Sequence, residues 1–333
     1  MSNYSIKDVA KLADVSIATV SRVLNKKGKY SKETEEKVLK IVEEIGYQVN
    51  HNAKTLRTKV SHTIGILVPD ISNYFFATLV QEIEKSFFKN SYSTIICNTD
   101  RSLKKEKSYL QILENKNIDA LIAISGNIDK GFEFSSTIKN IPYICIDREP
   151  ANLEESTYIS SDHFMGAYQA CSHLLDKDCK QIAFFGPKKL SPSNKRRFGG
   201  FLKALEDKNI EFNEDNNHLQ IFSNQDLEKQ VVDFLNSNPN LDGIFAINDR
   251  LAIDLIEILK KNNKKIPEDI SLVGFDNSPT CEYTSPKLTS ISQDIKKIAD
   301  ETVKNILESI NNPEYEKKTI LVPTQLIERE STK

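Results

Sequence analysis

The chain has 333 residues, of which 39% are hydrophobic and 28% charged, with a formal net charge of −2. This composition is typical of a soluble globular protein of two or three domains and argues against a disordered or a membrane protein. Hydrophobic runs reach about five residues, far short of the roughly 20 of a membrane-spanning helix, and the first residues lack a signal-peptide core, so we expect a cytoplasmic protein.

The first 60 residues are basic, with 12 Lys and Arg against 7 Asp and Glu, whereas the rest of the chain has 33 against 40. Hydrophobic spacings of three and four predict three helices here, beginning at Ser5, Ser16 and Ser31. Their predicted buried residues are Ile6, Val9, Ala10 and Ala13; Val20, Val23 and Leu24; and Val38, Leu39, Val42 and Ile45. Two short helices joined at residues 14–15 in a basic segment are typical of a DNA-binding helix-turn-helix unit.

From residue 63 onward, short hydrophobic strands alternate with amphipathic helices. Strands are predicted at 64–68, 94–97, 120–124, 143–146, 182–185, 243–247 and 271–275. Helices are predicted between them, at 75–88, 105–114, 164–175 and 251–260. This alternation predicts parallel sheets with right-handed crossovers, and there are enough units for two lobes. We therefore expect a doubly wound α/β core of two lobes behind an all-α helix-turn-helix head.

Several spaced motifs in the head agree with one known family. They are IKDVAKLA at 6–13, VSIATVSRVLN at 15–25, Gly46-Tyr47, Asn50 and Ala53-x-x-Leu56. With these motifs the head resembles the LacI/GalR family of transcription repressors, and the remaining chain resembles that family's periplasmic-binding-protein-like core. Two positions depart from the family pattern, Asp14 where glycine is common and Val49 where proline is common. Asp tolerates a left-handed backbone, so the turn at Asp14 can survive.

The resemblance implies how the head binds DNA. The exposed face of the second helix would enter the major groove, where Arg22 could pair with guanine and Ile17 and Ala18 could contact thymine methyl groups. Short polar side chains would contact phosphates, namely Ser16, Thr19, Ser21 and Asn25. A hinge helix over residues 50–57 would then bind the minor groove through Asn50, Ala53 and Leu56, with the leucine wedged between base pairs.

Ten polar and aromatic residues of the core form a set, and most of them lie just beyond the carboxyl ends of predicted strands. They are Asn73, Phe75, Phe76, Asp147, Arg148, Arg197, Phe222, Asn248, Asp276 and Gln293. In type and order this set resembles the sugar pocket of ribose-binding proteins and ribose repressors. Aromatic rings suit the C–H faces of a sugar, while carboxylates, guanidinium groups and amides bind its vicinal hydroxyls. The resemblance therefore implies a ribose-like effector bound at the carboxyl ends of the strands.

The family pattern also implies domain boundaries and partners. Residues 1–48 would form the DNA-binding domain, 49–60 the hinge, and 61–333 the ligand-binding and dimerisation core. The first lobe would comprise 61–160 and 292–322, and the second 161–291 and 323–333. Because no leucine heptads follow the core, we expect a homodimer on a pseudo-palindromic DNA operator, without membrane contact.

Three alternatives stay open at this point. An enzyme is disfavoured because Walker, G-x-G-x-x-G, H-E-x-x-H and G-x-S-x-G motifs are absent. Five scattered cysteines indicate no disulfide framework or zinc site, and we interpret them as core residues. We expect no metal or other cofactor. A transport binding protein would not carry a DNA-binding head without a secretion signal. The third alternative keeps the repressor but changes the effector to another pentose, a purine or a phosphoprotein coregulator.

Overall fold

The computed structural model describes residues 4–24, 26, 28–47, 60–125, 141–150, 152, 154, 156–223, 225–312 and 314–333. The chain divides into two compact units, residues 1–61 and 62–333. Among the described helices, none has the length and apolar character needed to cross a membrane. All five cysteines are free thiols buried in the core, as the sequence predicted.

The N-terminal unit contains three helices, α1 (Ile6–Ala13), α2 (Ile17–Leu24) and α3 (Lys32–Ile45). Helix α1 begins after Ser5, whose backbone N–H donates to Asp8 Oδ2 at 2.8 Å. Between α1 and α2, Asp14 has a φ of 50°, so the left-handed turn expected at this residue is present. The helices pack on a small shared core of Val9, Ala10, Ala13, Val20, Val23 and Val38.

The packing of α3 differs from the prediction at one residue. Val38 is fully buried, whereas Leu39 is 46% exposed, and Ile41 packs against the core instead. A helix turns about 100° per residue, so Val38, Ile41 and Ile45 share one stripe and Leu39 lies off it. The prediction that Leu39 is buried is therefore wrong.

Residues 62–333 form two lobes, each built on a six-stranded sheet. The first sheet has the order β11-β5-β4-β3-β1-β2 and is parallel throughout. Its strands are β1 (Thr63–Val68), β2 (Ser93–Asn98), β3 (Ala120–Ile124), β4 (Tyr143–Ile146), β5 (Thr157–Ser161) and β11 (Thr319–Val322). The second sheet has the order β12-β10-β9-β8-β6-β7, and within it β12 runs antiparallel to β10. Its strands are β6 (Ile182–Pro187), β7 (His218–Ile221), β8 (Gly243–Ala246), β9 (Ser271–Asp276), β10 (Thr289–Gln293) and β12 (Thr324–Ile327).

Helices cover the faces of both sheets, as the doubly wound prediction requires. They are α4 (Tyr74–Lys89), α5 (Leu103–Asn115), α6 (His163–Asp176), α7 (Pro192–Asp207), the short α8 (Glu214–Asn217), α9 (Leu227–Ser237), α10 (Asp249–Lys261) and α11 (Ile295–Asn311). Although α11 follows a strand of the second sheet, its Ile298 and Val303 share the first lobe's core with Ile83 of α4. Helix α11 therefore belongs to the first lobe.

Every strand predicted from hydrophobic runs is present, so the predicted fold class is confirmed. Five described strands were not predicted, namely β5, β7, β10, β11 and β12. Of these, β5 is buried at all five residues although its sequence, Thr-Tyr-Ile-Ser-Ser, is largely polar. Two of their hydroxyls have partners in the interior, whereas Ser161 Oγ is buried without one: Thr157 Oγ1 lies 2.8 Å from Tyr315 Oη, and Ser160 Oγ donates to Asp147 Oδ1 at 2.7 Å. Buried hydroxyls that are satisfied in this way cost little, which allows a polar strand in the core.

The chain passes between the two sheets three times: after β5, after β10, and between β11 and β12. The first and third crossovers touch, since the Asp162 N–H donates to the Val322 carbonyl at 2.8 Å and Thr324 Oγ1 donates to the Asp162 carbonyl at 3.3 Å. The second sheet includes β10 as far as Gln293, slightly past the predicted lobe boundary at 291. The domain boundaries given by the sequence otherwise stay a prediction.

Candidate functional site

A cavity of about 720 Å³ lies between the two lobes, at the carboxyl ends of strands from both sheets. In the first sheet β2 and β3 flank β1, and in the second β7 and β8 flank β6. Reversals of strand order like these open a crevice at the carboxyl ends, where doubly wound folds bind ligands. The volume falls within the range of small-molecule sites, about 300–1,000 Å³.

Eight of the ten residues matched to the ribose pocket line this one cavity. They are Asn73, Phe75, Phe76, Asp147, Arg197, Phe222, Asn248 and Asp276. The first four belong to the first lobe and the last four to the second. A ligand in the cavity would therefore contact both lobes at once.

Three phenylalanine rings supply the apolar part of the lining. Phe75 and Phe76 are buried at the start of α4, with their ring centroids 5.4 Å apart in an edge-on arrangement. Phe222, which follows β7, is 37% exposed, and Lys188 Nζ lies 4.6 Å from its ring centroid. Rings on both lobes can thus cover the C–H faces of a sugar and exclude water from it.

Two asparagines hold the starts of helices that point at the cavity. Asn73 Oδ1 accepts from the backbone N–H groups of Phe75 and Phe76, at 3.0 and 3.4 Å. Asn248 Oδ1 accepts from the Leu251 N–H at 2.9 Å. Because each side-chain oxygen caps a helix, the amide nitrogen is the group that can donate to a ligand.

Arg197 of α7 is the charged centre of the site and is 7% exposed. Its Nη2 lies 3.4 Å from Asp276 Oδ1, its Nη1 donates to the Ile247 carbonyl, and its Cζ lies 3.6 Å from the Phe275 ring centroid. Burial lowers the pKa of the guanidinium, and the carboxylates of Asp276 and Asp147 oppose that shift. These contacts fix the fork in a single orientation.

Asp147 follows β4 with a left-handed φ of 51° and is 5% exposed. Its Oδ1 accepts from Ser160 Oγ at 2.7 Å and lies 3.0 Å from His163 Nε2. Burial raises the pKa of this carboxyl, but His163, Ser160 and Arg197 outweigh burial and bring the pKa below its usual value. Asp147 is therefore an acceptor at neutral pH, suited to hydroxyl donors.

Asp276 is the second carboxyl of the site and ends β9. Burial raises its pKa to about 7, although Arg197 opposes the shift. Gln293 Nε2 donates to its Oδ1 at 2.7 Å. The pKa values of the two carboxyls of the cavity are thus shifted in opposite directions.

This difference predicts a pH dependence of ligand binding. Hydroxyls that donate to Asp276 favour its ionised form, so ligand affinity should rise with pH until it levels off above the pKa of about 7. Below that pKa, binding should release up to about one proton per site. Calorimetry at pH 6 in two buffers of different ionisation enthalpy measures this release, and Asp276→Asn should abolish it. A flat affinity profile between pH 5.5 and 8 would contradict the assignment of Asp276 as an acceptor.

The other two matched residues lie outside the cavity lining. Arg148 turns toward α5, where its Nη1 and Nη2 donate to Glu106 Oε2 and Oε1 at 2.7 and 3.1 Å. Both residues lie in a bend just beyond β4, with a left-handed backbone at Asp147, and their side chains take different partners: Asp147 faces the cavity and Arg148 faces Glu106. Gln293 is not in the lining, but its Nε2 donates to Asp276, which is. Neither side chain is part of the lining in this structure, and direct contact of Arg148 and Gln293 with a ligand stays a prediction.

The lining also includes residues that sequence reasoning missed. Arg101 follows β2, Ser125 follows β3, and Lys188 and Lys189 follow β6. Their position just beyond a strand was the signal available in the sequence. Arg101 and Ser125 have φ values of 55° and 40°, and Asp147 and Asp276 also have positive φ. Strained backbone of this kind is often retained at functional sites.

The predicted DNA-reading face of α2 is largely accessible. Ile17 is 44% exposed, Ala18 and Arg22 are exposed, and Thr19 and Ser21 are half-buried. Ser16 Oγ accepts from the Thr19 N–H at 3.1 Å, which caps the start of the helix. The remaining residues proposed to contact DNA lie outside the described residues; they are Asn25, Asn50, Ala53 and Leu56.

Comparisons with known proteins agree with both units. The family model "Bacterial regulatory proteins, lacI family" matches residues 5–50, and "Periplasmic binding protein-like domain" matches residues 171–332. The ribose operon repressor of Halalkalibacterium halodurans is 36% identical over 99% of this chain and 97% of that protein. A LacI family transcriptional regulator from Enterococcus faecium, with bound ribose, is 33% identical at a TM-score of 0.71 and covers 81% of this chain and 98% of that one. The lac repressor dimer bound to operator and the anti-inducer ONPF shares the fold, with a TM-score of 0.84 over 99% of both chains at 23% identity.

Proposed function

The chain belongs to the LacI family of bacterial regulatory proteins, and we propose that this DNA-binding repressor responds to D-ribose bound between the lobes of its core. It is a transcription repressor and not an enzyme, as expected from its sequence. The observation that carries the ribose assignment is the gathering of eight matched residues around one cavity. The Enterococcus faecium relative crystallised with ribose supports the same ligand.

In this proposal the sugar contacts residues of both lobes. Phe76 and Phe222 cover its faces, Asp147 and Asp276 accept from its hydroxyls, and Arg197 donates to its oxygens. Arg148 and Gln293 do not contact the sugar in this proposal. Arg148 bonds Glu106, and Gln293 donates to Asp276. Because the ligand bridges the lobes, binding favours a closed arrangement.

We further propose that two copies of the chain act together in the cytosol on a pseudo-palindromic operator. The α2 helices would read the major groove, and residues 49–60 would form the hinge with Leu56 in the minor groove. Lobe closure would alter the hinges and weaken operator binding. Allosteric coupling of this kind is typically worth about 1–3 kcal/mol, roughly 5- to 150-fold in affinity.

Calorimetric titration of the full-length chain tests the ligand. The panel should contain D-ribose, D-xylose, L-arabinose, hypoxanthine and guanine, each against the same protein sample. We expect ribose to bind with one site per chain and more tightly than the other compounds. Tighter binding of a purine base, or of another pentose, would replace ribose as the effector.

Substitution of Arg22 tests the DNA-reading face. Arg22→Ala should remove the preference for one G·C pair in each half-site, worth about 1–3 kcal/mol, because the bidentate donor to guanine is lost. Non-specific binding should weaken only by the loss of one positive charge. Lys7→Ala is the matched control, since Lys7 is an exposed cation on α1. A binding selection that returns the same half-site for wild type and Arg22→Ala would exclude Arg22 as the base reader.

A further inference from the structure

His163 is a buried histidine that the ribose pattern does not contain. It is the first residue of α6, directly after the first crossover between the lobes, and it is 0% exposed. Its Nε2 lies 3.0 Å from Asp147 Oδ1, and its Nδ1 lies 3.3 Å from Arg197 Nε. The imidazole sits behind the cavity lining and touches a ligand-binding residue of each lobe.

The hydrogen bonds determine the protonation of this ring. Arg197 Nε carries a hydrogen and can only donate, so His163 Nδ1 must accept. Nε2 then carries the ring proton and donates to the carboxylate of Asp147. Burial lowers the pKa of His163 although Asp147 opposes the shift, which keeps the imidazole neutral. Only the neutral Nε2–H tautomer can accept from Arg197 and donate to Asp147 simultaneously.

The same chain of contacts continues to the second crossover. Beyond His163, Arg197 Nη2 lies 3.4 Å from Asp276 Oδ1, and Gln293 Nε2 donates to that oxygen at 2.7 Å. Gln293 ends β10, immediately before the chain returns to the first lobe. Side chains at two crossovers, His163 and Gln293, therefore each hold one carboxyl of the cavity.

We propose that His163 is a positioning residue that fixes Asp147 and Arg197 for the sugar and couples ligand occupancy to the crossovers between the lobes. The inference rests on the proposed function, because it takes Asp147 and Arg197 to be ligand-binding residues. Movement of either lobe changes the distance between those two side chains, and the imidazole spans it. The Phe275 ring packs against the imidazole, with centroids 5.7 Å apart, and limits its rotation.

Three substitutions distinguish the two hydrogen bonds of the imidazole, the one to Asp147 and the one from Arg197. His163→Leu removes both hydrogen bonds at similar volume. His163→Gln can place an amide nitrogen near Nε2 and keep the bond to Asp147, whereas His163→Asn can place an amide oxygen near Nδ1 and keep the bond from Arg197. His173→Leu is the matched control, since His173 is on the same helix and bonds Thr332 at 2.9 Å, at a distance from the cavity network.

Ribose titration and operator binding of the full-length variants give the main readout. We expect His163→Leu to lose about 30-fold or more in ribose affinity, because a buried carboxylate and a guanidinium N–H lose their partner together. The Gln and Asn variants should each recover part of that loss, which a purely structural role would not produce. Ribose affinity of His163→Leu within twofold of wild type would overturn the proposal. If His163→Leu fails to fold, equal loss in the Gln, Asn and control variants would overturn it instead.

Nitrogen-15 NMR of histidine-labelled protein tests the same inference without any ligand. We expect His163 to show a neutral Nε2–H ring at neutral pH and above, with its signal assigned by loss in His163→Gln. A charged ring or an Nδ1–H tautomer in that range would overturn the proposed role of His163 between Asp147 and Arg197. Failure of the wild-type chain to bind ribose would overturn the ligand assignment alone. The NMR result would then test the two hydrogen bonds of His163 independently of the ligand.

Discussion

Replacement of Asp147 by Ala should lower the affinity for ribose by about 2–4 kcal/mol, roughly 30- to 1,000-fold, while the fold stays intact. The lost carboxylate is 5% exposed and accepts at a site where Ser160, His163 and Arg197 keep it ionised. Its removal takes away an acceptor for hydroxyls and leaves His163 Nε2 without its partner. Hydrogen bonds to charged groups in such a desolvated site are stronger than in water.

Two further variants make this result specific. Asp147→Asn retains the shape of the side chain but removes its charge, so its ribose affinity should lie between those of wild type and Asp147→Ala. Asp300→Ala, on the exposed face of α11, removes an aspartate away from the cavity and should bind ribose like wild type. In cells, Asp147→Ala should repress but ignore ribose. Equal calorimetric affinity of wild type and Asp147→Ala would show that the site is wrongly placed.

Glu106→Leu should lower the free energy of unfolding of the core by about 3–5 kcal/mol, more than the other substitutions proposed for this protein. Glu106 and Arg148 are 7% and 5% exposed and form a two-pronged ion pair. Glu106→Leu leaves a buried guanidinium without this carboxylate, which costs far more than the net worth of the pair. Denaturant unfolding of Glu106→Leu against wild type measures the effect.

The double variant Glu106→Leu/Arg148→Leu distinguishes two roles of Arg148. Replacement of a whole buried ion pair by hydrophobic side chains is often close to neutral, so the double variant should regain most of the lost stability. If Arg148 holds the Asp147 segment from outside the cavity, the double variant should also keep ribose binding within about tenfold. A stable double variant that no longer binds ribose would restore direct ligand contact by Arg148, as the sequence resemblance implied.

Hydrophobic patterning predicted the architecture but not all of its strands. Runs such as 64–68 and 120–124 are buried on both faces of parallel sheets, and their composition alone identifies them. Strand β5 is equally buried but contains Thr157 and Ser160, whose hydroxyls bond the tertiary partners Tyr315 and Asp147. These partners are distant along the chain, so no local pattern could reveal the strand.

The site shows the same division between local and long-range information. Residue type and order matched both Asp147 and Arg148 to the sugar pocket, but Arg148 bonds Glu106, 42 residues away, and turns from the cavity. His163 was missed because a lone histidine at a helix start has no local signature, and its role follows from two residues on different lobes. The prediction that Leu39 is buried was wrong for a simpler reason. A shift of one residue around α3 moves a side chain from the core to the solvent.

The most direct test measures operator affinity of the full-length chain with and without ribose. The DNA should be a pseudo-palindromic site selected with the protein itself, and affinity should be followed by fluorescence anisotropy at fixed salt, since phosphate contacts make it salt-dependent. We predict that saturating D-ribose weakens operator binding about 5- to 150-fold. Operator affinity unchanged by saturating ribose would contradict the account.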